Sequence, residues 1–381
     1  MQEKKRGKLY LGALEKVSIP SYHGQGLFGI FRQILLPEGY PDSVSSDYLE
    51  YQGWDTLQAF ASSISGSLAT AAVLEGVGVG DAEATALAAT LTWILKDGAG
   101  MIGRILFAAY IGTSLDYDCK RWRLFADVLN DGVMMVELMA TALPKQLVMP
   151  TLCAAGVGRS LVGVAGGATK AAVAQHQARK QNMADLAAKD GSQETVVNLL
   201  ALCVNLLLLP AISGKPSLPF YLFMILASLH IYSNYRAVRC LVIPTLNASR
   251  LVLVLSRFKE LGNICSVFEI NRLESVIWPP SSKKARIEIG VSVQSLTSEE
   301  VSLLCQAIRE EDPCILLGGD KCSKIVISSL AKPKDVYKMY IKAYLGPNYN
   351  ADEVLDSLEL AGWNLSTLAL PTRGYVLQVD Q

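Results

Sequence analysis

Two adjacent stretches decide how this chain reads: Thr195 to Gly214, TVVNLLALCVNLLLLPAISG, and Pro216 to Tyr235, PSLPFYLFMILASLHIYSNY. Neither contains Asp, Glu, Lys or Arg. Each reaches the roughly twenty residues that a helix needs to cross a hydrocarbon core of ~30 Å. Gly214, Lys215 and Pro216 form the break between them, so the pair reads as a helical hairpin. Tyr221, Tyr232 and Tyr235 fall near its ends, where amphipathic rings favour a membrane interface. The length of both runs favours insertion in a bilayer over a hairpin buried in a large soluble helical domain. Lys180, Lys189, Arg236 and Arg239 flank the open ends, against Lys215 alone at the turn. The positive-inside bias then places both open ends in the cytosol, and the expected location is an intracellular membrane.

The rest of the composition is in keeping with that reading. Of 381 residues, 51% are apolar and only 18% charged, and the mean hydropathy is +0.29. A soluble domain carries nearer a quarter charged residues. Thirty-five basic residues balance thirty-five acidic ones, which removes the electrostatic basis for nucleic-acid binding. The basic EKKRGK near the start reads as a solvated tail. Eight scattered cysteines form no C-x-x-C pair and only three histidines are present, so neither a metal site nor any cofactor is evident; the cysteines read as buried thiols. Residues 1 to 20 lack a continuous apolar core and the Ser/Arg-rich character of a leader, so neither a signal nor a transit peptide is expected.

Four zones follow: a leader at 1–33, an Ala-, Gly- and Leu-rich helical zone at 34–256, a linker at 257–285 around PPSSKK, and a small α+β domain at 286–381. The fold class is therefore mainly α, a multi-helix membrane-associated bundle with a small C-terminal α+β unit. In the helical zone the segments 57–73, 101–115, 133–143 and 147–169 are apolar, yet Arg104, Glu137 and Arg159 interrupt three of them. A charge within lipid is costly, so such residues must face a bundle interior or a polar cavity, or the helices pack outside the bilayer. In the last zone RIEIGVSV (286–293) alternates as a strand, and ILL (315–317), KIVIS (324–328) and YVLQV (375–379) read as further strands. Thr297 with Glu300 matches a capping box, and 335–344 and 352–360 read as helices.

KDGAGMIGRI, 96–105, matches G-x-G-x-x-G at Gly98, Gly100 and Gly103. A dinucleotide turn needs a strand before it and βαβ units after it. Here DAEATALAATLTWIL precedes the motif and looks helical, so the glycines read as helix-packing positions. Gly163 and Gly167, four apart, are read the same way. The most polar part of the apolar zone is 170–195. On a helix Arg179, Asn182, Asp185 and Lys189 share one face, which is either a polar functional surface or a solvated face held by an Asp185–Lys189 pair. His176 is a weak acid–base candidate. In 116–131, Lys120, Arg121 and Arg123 surround Trp122, an arrangement suited to lipid headgroups or to pairing with Asp127 and Asp131.

The phrases LPEGYPDSVSSDYLEYQGWDTLQAFASSISGSLAT, WILKDGAGMIGRILFA, KRWRLFADVLND, VAGGATKAAVAQHQARKQNMADLAAKDGSQET and HIYSNYRAVR resemble the root UVB sensitive family over about residues 34 to 256. That family is also described as a vitamin B6 photoprotection and homoeostasis domain. The resemblance implies a multi-helix membrane-associated protein, and in plant relatives a link to UV-B responses, vitamin B6 balance and auxin-related development. Without a plastid leader the chain resembles the animal-type members more closely. The resemblance supplies no catalytic residue. It marks Lys96, Asp97, Gly98, Arg104, Trp122, Arg123, Asp127, His176, Asn182, Asp185, Lys189, Asp190, Gln193 and Glu194 as positions to examine.

The expected function is a non-enzymatic integral membrane protein, transporter-like or a scaffold, with residues 176–194 facing a cavity or partner. Its partners would be the bilayer and, through the C-terminal unit, another protein or a homologous family member. The alternative is a soluble or peripheral binder or enzyme of pyridoxal phosphate, for which Lys170 and Lys189 are formal Schiff-base candidates.

Overall fold

The computed structural model describes residues 27–76, 86–112, 114–215, 217–277, 286–309, 312–319 and 322–378, with three short strands before them. These strands, β1 (Gln2–Lys4), β2 (Lys8–Leu11) and β3 (Glu15–Ser18), form an antiparallel meander. A short helix α1 (Leu27–Leu35) follows.

Six long helices make the body of the protein: α2 (Tyr48–Gly76), α3 (Ala86–Ile111), α5 (Cys119–Met139), α6 (Lys145–Gln177), α7 (Met183–Ile212) and α8 (Leu218–Cys240), with a single turn α4 (Ser114–Tyr117) between α3 and α5. Side-chain pairs fix their directions. Asp55 meets Arg123 and Ser62 meets Asn130, so α2 and α5 run parallel. Gln52 meets Asp190 and Ser67 meets Asn205, so α7 runs the same way. Gln58 meets His230 and Leu68 packs with Phe223, so α8 is antiparallel to all three. The hairpin turn at Gly214 has φ +78°, the left-handed region that glycine enters without a Cβ penalty.

Among the described residues, three helices are long and apolar enough to cross a membrane: Tyr48–Glu75, Gln146–Gln177 and Met183–Ile212. The first hairpin helix is thus one of them. The second, α8, is not, because His230, Ser233 and Asn234 add buried polarity to its length. Those three residues point inward, whereas Tyr221, Met224 and Ile225 point out. The same sorting holds on α7, where Leu199, Leu206 and Leu207 are exposed and Asn205 is buried. On α3, Ile102, Ile105 and Tyr110 are exposed. Contiguous exposed apolar surface of this kind marks an interaction surface rather than an ordinary soluble exterior.

The glycines of the dinucleotide-like motif sit in the middle of α3, with helix on both sides. The residues directly before them, from Ala86 on, are helical, so the strand-to-helix turn of a phosphate-binding motif is not formed at these glycines. Instead α3 lies against α6: a Cβ on Gly100 would come within 2.5 Å of Ser160 Oγ, and one on Gly103 within 2.8 Å of Val157 Cγ1. A Cβ on Gly98, Gly163 or Gly167 would meet nothing within 4 Å, so no close approach depends on the missing side chain there.

Beyond α8 come β4 (Thr245–Asn247), α9 (Ala248–Leu261), α10 (Val267–Leu273), β5 (Arg286–Ile289), α11 (Ser298–Arg309), β6 (Cys314–Gly319), β7 (Cys322–Ile327), α12 (Pro333–Leu345), α13 (Ala351–Leu360) and β8 (Asn364–Ala369). Strands β5, β7 and β6 form a sheet in that order, and β4 pairs parallel with β8. Leu251, Leu255 and Ile270 share one apolar core with Tyr337, Ile341 and Leu358. Part of the segment expected as a linker is therefore helical and packed, because α9 and α10 carry the apolar face that covers α12. Thr297 and Glu300 form the expected reciprocal cap of α11 at 2.8 and 3.3 Å. YVLQV does not form a strand of its own: Leu377 makes an isolated bridge to Ser328, and Val379 lies outside the described residues.

A buried ion cluster fastens these elements to the long helices. Glu274, 5% exposed, accepts from Lys120 at 3.1 Å and Arg250 at 3.2 Å. Arg250 also donates to the Thr245 carbonyl at 2.7 Å, and Asn271 accepts from Lys120 at 2.7 Å. Burial pushes the Glu274 carboxyl up, but Arg250 and Lys120 outweigh it and hold the group below its ordinary range. Removing one member of such a cluster leaves an uncompensated buried charge. Glu274→Gln is expected to lower stability by about 3–5 kcal/mol, read as a lower midpoint in thermal unfolding of the purified chain.

Candidate functional site

The interior of the bundle is organised along one face of α2. Gln52, Asp55, Ser62, Ser63, Ser67 and Thr70 follow the three- and four-residue spacing of a helix face. Eighteen residues separate the first from the last, about 27 Å at the helical rise. Helices α5, α7 and α8 each contribute a polar partner. Arg123 of α5 donates to Asp55 at 2.9 Å and Asn130 to Ser62 at 3.3 Å. Asn205 of α7 donates to Ser67 at 2.7 Å.

His230 of α8 sits between two acceptors: Nδ1 is 2.9 Å from Asp131 Oδ2, and Nε2 is 2.8 Å from Gln58 Oε1. The Gln58 amide nitrogen faces Asp55 at 3.2 Å, which orients its oxygen toward the histidine. Both ring nitrogens thus face an oxygen of a neighbouring helix. Asp131, His230, Gln58, Asp55, Arg123 and Asp127 make one continuous chain through three helices, the last link Arg123–Asp127 at 3.8 Å.

Two cavities open from this face and share Ser63 in their walls. The larger, about 910 Å³, lies among α2, α3, α5, α6 and α7. Its polar centre is Glu137, 1% exposed, held by Lys96 at 3.3 Å and by Arg159 Nε at 3.0 Å. Asp97 and Arg104 also line it, with Trp93, Leu74 and Leu209 as apolar wall. A Cβ on Gly156 would fall 2.7 Å from both Cγ and the carbonyl oxygen of Lys96, so this glycine allows Lys96 to reach Glu137. The smaller cavity, about 290 Å³, is lined by Asp55, Arg123, Asp127, Lys170 and Glu194.

The structure distributes the sequence candidates among several places. Lys96, Asp97 and Arg104 share the large cavity, and Arg123, Asp127 and Glu194 the small one. Lys170 binds Asp190 and Glu194, both at 2.8 Å. Trp122 packs edge-on between Phe107 and Phe125 and so belongs to an aromatic stack. The Asp185–Lys189 pair does not form. Asp185 instead accepts from the Glu38 amide at 2.7 Å, and Lys189 and Gln193 donate to the carbonyls of Gln33 and Leu35. This helix face fastens the segment before α2 and faces neither bundle cavity, apart from Glu194. Asn182 precedes α7 and accepts from the Lys180 amide at 3.2 Å. Arg179 and His176 line a third cavity of about 410 Å³ beside β4 and β8. All eight cysteines are free, but Cys203 and Cys305 are exposed rather than buried. Glu137, Arg159, Asp55, Gln58, Asp131 and His230 were missing from the candidate set. The charges interrupting apolar segments were the signal for the first two.

Asp47, also absent from that set, joins three elements at the start of α2: it accepts from His176 at 2.8 Å, from the Val242 amide at 2.7 Å and from Ser45 Oγ. Burial alone would raise its carboxyl, but these partners bring it down from 3.8 to about 2. A depressed acid stabilises the fold above its unfolded value and loses that contribution as pH falls through the folded one. Asp47→Asn is expected to cost about 2 kcal/mol at pH 7. The difference from the parent should shrink below about pH 4 and vanish near pH 2 in unfolding measurements. Separately, Gly156→Ala should push α3 from α6 and cost about 1–3 kcal/mol of stability in the same assay.

Together these features define a helical bundle with a charged, hydrogen-bonded interior and an apolar exterior. The chain belongs to the root UVB sensitive family. The family model described as the vitamin B6 photo-protection and homoeostasis domain matches residues 22–262. The chain is 43% identical to RUS family member 1 of Dictyostelium discoideum over 271 residues, 70% of this chain and 51% of that protein. It is 35% identical to protein root UVB sensitive 3 of Arabidopsis thaliana over 370 residues, 89% of this chain and 84% of that protein. Protein root UVB sensitive 6 of the same plant is 32% identical over 249 residues, 65% of this chain and 49% of that protein. The chain thus spans about half the length of the Dictyostelium relative. No solved structure matches it.

Proposed function

We propose that this protein is a polytopic membrane protein of transporter-like type, in which the long helices enclose a polar route for a small solute. The observation that carries the reading is the sorting of side chains. Leu207, Ile105 and Ile225 are 79%, 68% and 67% exposed, while Glu137, Asp131 and His230 on the same bundle are 1%, 5% and 1% exposed. Water-soluble bundles sort the other way. A bilayer satisfies both halves, because lipid covers the apolar exterior and charges survive only where they pair inside or meet a water-filled cavity. With α8 crossing beside α7, its His230, Ser233 and Asn234 turned to the bundle interior, the hairpin has its open ends on the cytosolic side, and the elements after α8 form a small α+β domain on that side, available to a protein partner. The family description names vitamin B6, which makes a B6 vitamer the first solute to try.

Pyridoxal phosphate chemistry at Lys170 fits less well. Asp190 and Glu194 both bind that ammonium at 2.8 Å, whereas a Schiff base needs a neutral amine.

The test is alkaline carbonate extraction of cell membranes followed by uptake into proteoliposomes. The chain should stay with the membrane pellet, and Arg159→Met should lower uptake while leaving that membrane pool intact. Quantitative release into the carbonate supernatant would end the proposal.

A further inference from the structure

The large cavity holds a feature that a purely structural ion pair does not need. One carboxylate, Glu137, is shared by two cations from two other helices, Lys96 of α3 and Arg159 of α6. Three donor atoms, Lys96 Nζ and Arg159 Nε and Nη2, meet its two oxygens, and the N–H groups of the two cations together exceed what one carboxylate takes. The Arg159 side chain is 37% exposed, and Lys96 lies 4.9 Å from the Trp93 ring centroid. Both cations line the cavity wall, as do the hydroxyls of Ser67, Thr70 and Ser160. The charged groups around the space are Lys96, Arg159 and Arg104 against Glu137 and Asp97, a surplus of one positive charge. From α2 and α7 come hydroxyls and apolar side chains with no charge.

From this geometry we infer that the cavity binds an organic anion: a tetrahedral oxyanion head on an apolar body, with Glu137 occupying the head's place when the site is empty. This inference rests on the transporter-like reading for its purpose, but not for its chemistry. The head takes the Lys96 and Arg159 donors, and the body lies against Trp93, Leu74 and Leu209. Glu137 is 1% exposed, and a carboxylate buried to that degree is costly once displaced from its cations. It therefore takes a proton from solvent onto the freed oxygen. Binding one monoanion with one proton leaves the net charge of the interior unchanged, and an anion would cross together with a proton.

The experiment uses the full chain in mild detergent and benzenesulfonate, an anion that does not itself titrate near neutral pH. Calorimetric titration in two buffers of different ionisation heat counts the protons. The expected result is saturable binding with uptake of about one proton, and affinity falling about tenfold per pH unit. Benzenesulfonamide, neutral and of similar shape, should not bind. Arg159→Met should weaken binding by about 10- to 100-fold. Glu137→Gln should bind without proton uptake and without the pH slope. If Glu137→Gln does not fold, the proton count of the parent still decides. Competition by phosphatidic acid added to the micelles would identify the head as a lipid headgroup, and its failure to compete would identify a soluble anion. Absence of saturable binding overturns the site, and binding with no proton uptake overturns the exchange. Carbonate release of a chain that still binds benzenesulfonate with a proton would refute the membrane reading alone, whereas a membrane-retained chain that does not bind refutes this inference alone.

Discussion

Everything else in the bundle depends on one constraint, that a charge enclosed by apolar side chains must find its partner inside the protein. Helix α2 meets that constraint for its neighbours. Its amide, carboxylate and hydroxyl groups receive Arg123 and Asn130 from α5, Asn205 from α7 and His230 from α8. These bonds set the directions of the helices, because a slip by one residue would carry each partner about 100° away from the polar face. Apolar packing then follows from the same arrangement: Leu68 and Met134 meet Phe223 on the sides that the polar stripe leaves free. In a bilayer this division of labour is forced, since lipid offers helices no hydrophobic reason to associate and the interior polar contacts and close backbone approaches must do it.

What the sequence disclosed follows from whether the signal is local. The charge-free run of α7, the capping box at Thr297 and the helices at 333–345 and 351–360 rest on periodicity or on spacings of a few residues, and the structure contains them. Gly103 also fell within reach, since it lies four residues from Ala99 and small residues at that spacing are a pattern read on one helix, with Gly100 between them. The polar spine of α2 did not, because Ser, Thr and Gly in an Ala-rich segment count as neither apolar nor charged. Glu137 and Arg159 could be marked as charges in need of a partner, but their meeting with each other and with Lys96 spans 22 and 41 residues of chain. A single sequence carries no distance information at that range. The face at 182–193 misled for a related reason. Its i,i+4 charges suggested a pair, while the fold supplied better partners in the backbone groups of Gln33, Leu35 and Glu38. The division of 257–285 was blurred similarly, as α9 and α10 are short and find their apolar partners far along the chain, in α12.

Among the described residues a buried glutamate held by one lysine and one arginine occurs twice, and the two instances differ in what surrounds them. In the first, Glu274 binds Lys120 and Arg250, and both cations also spend donors on fixed acceptors, Asn271 and the Thr245 carbonyl. Arg250 is 1% exposed and no cavity adjoins it among those described. That cluster is closed: any ligand would have to break bonds already satisfied, so its role is to hold α5 against β4, α9 and α10. In the second, Glu137 binds Lys96 and Arg159 beside a space of about 910 Å³, and the cations have donors in excess of the one carboxylate. The cost of keeping charge in an apolar bundle is similar in both places. In the first it is offset by joining two parts of the fold. In the second the pairs link α5 to α3 and α6, which also meet each other through Gly100, Gly103 and Gly156. A charge cluster beside a cavity, with donors beyond what its one carboxylate takes, is the arrangement expected of a site whose partner comes from outside the chain.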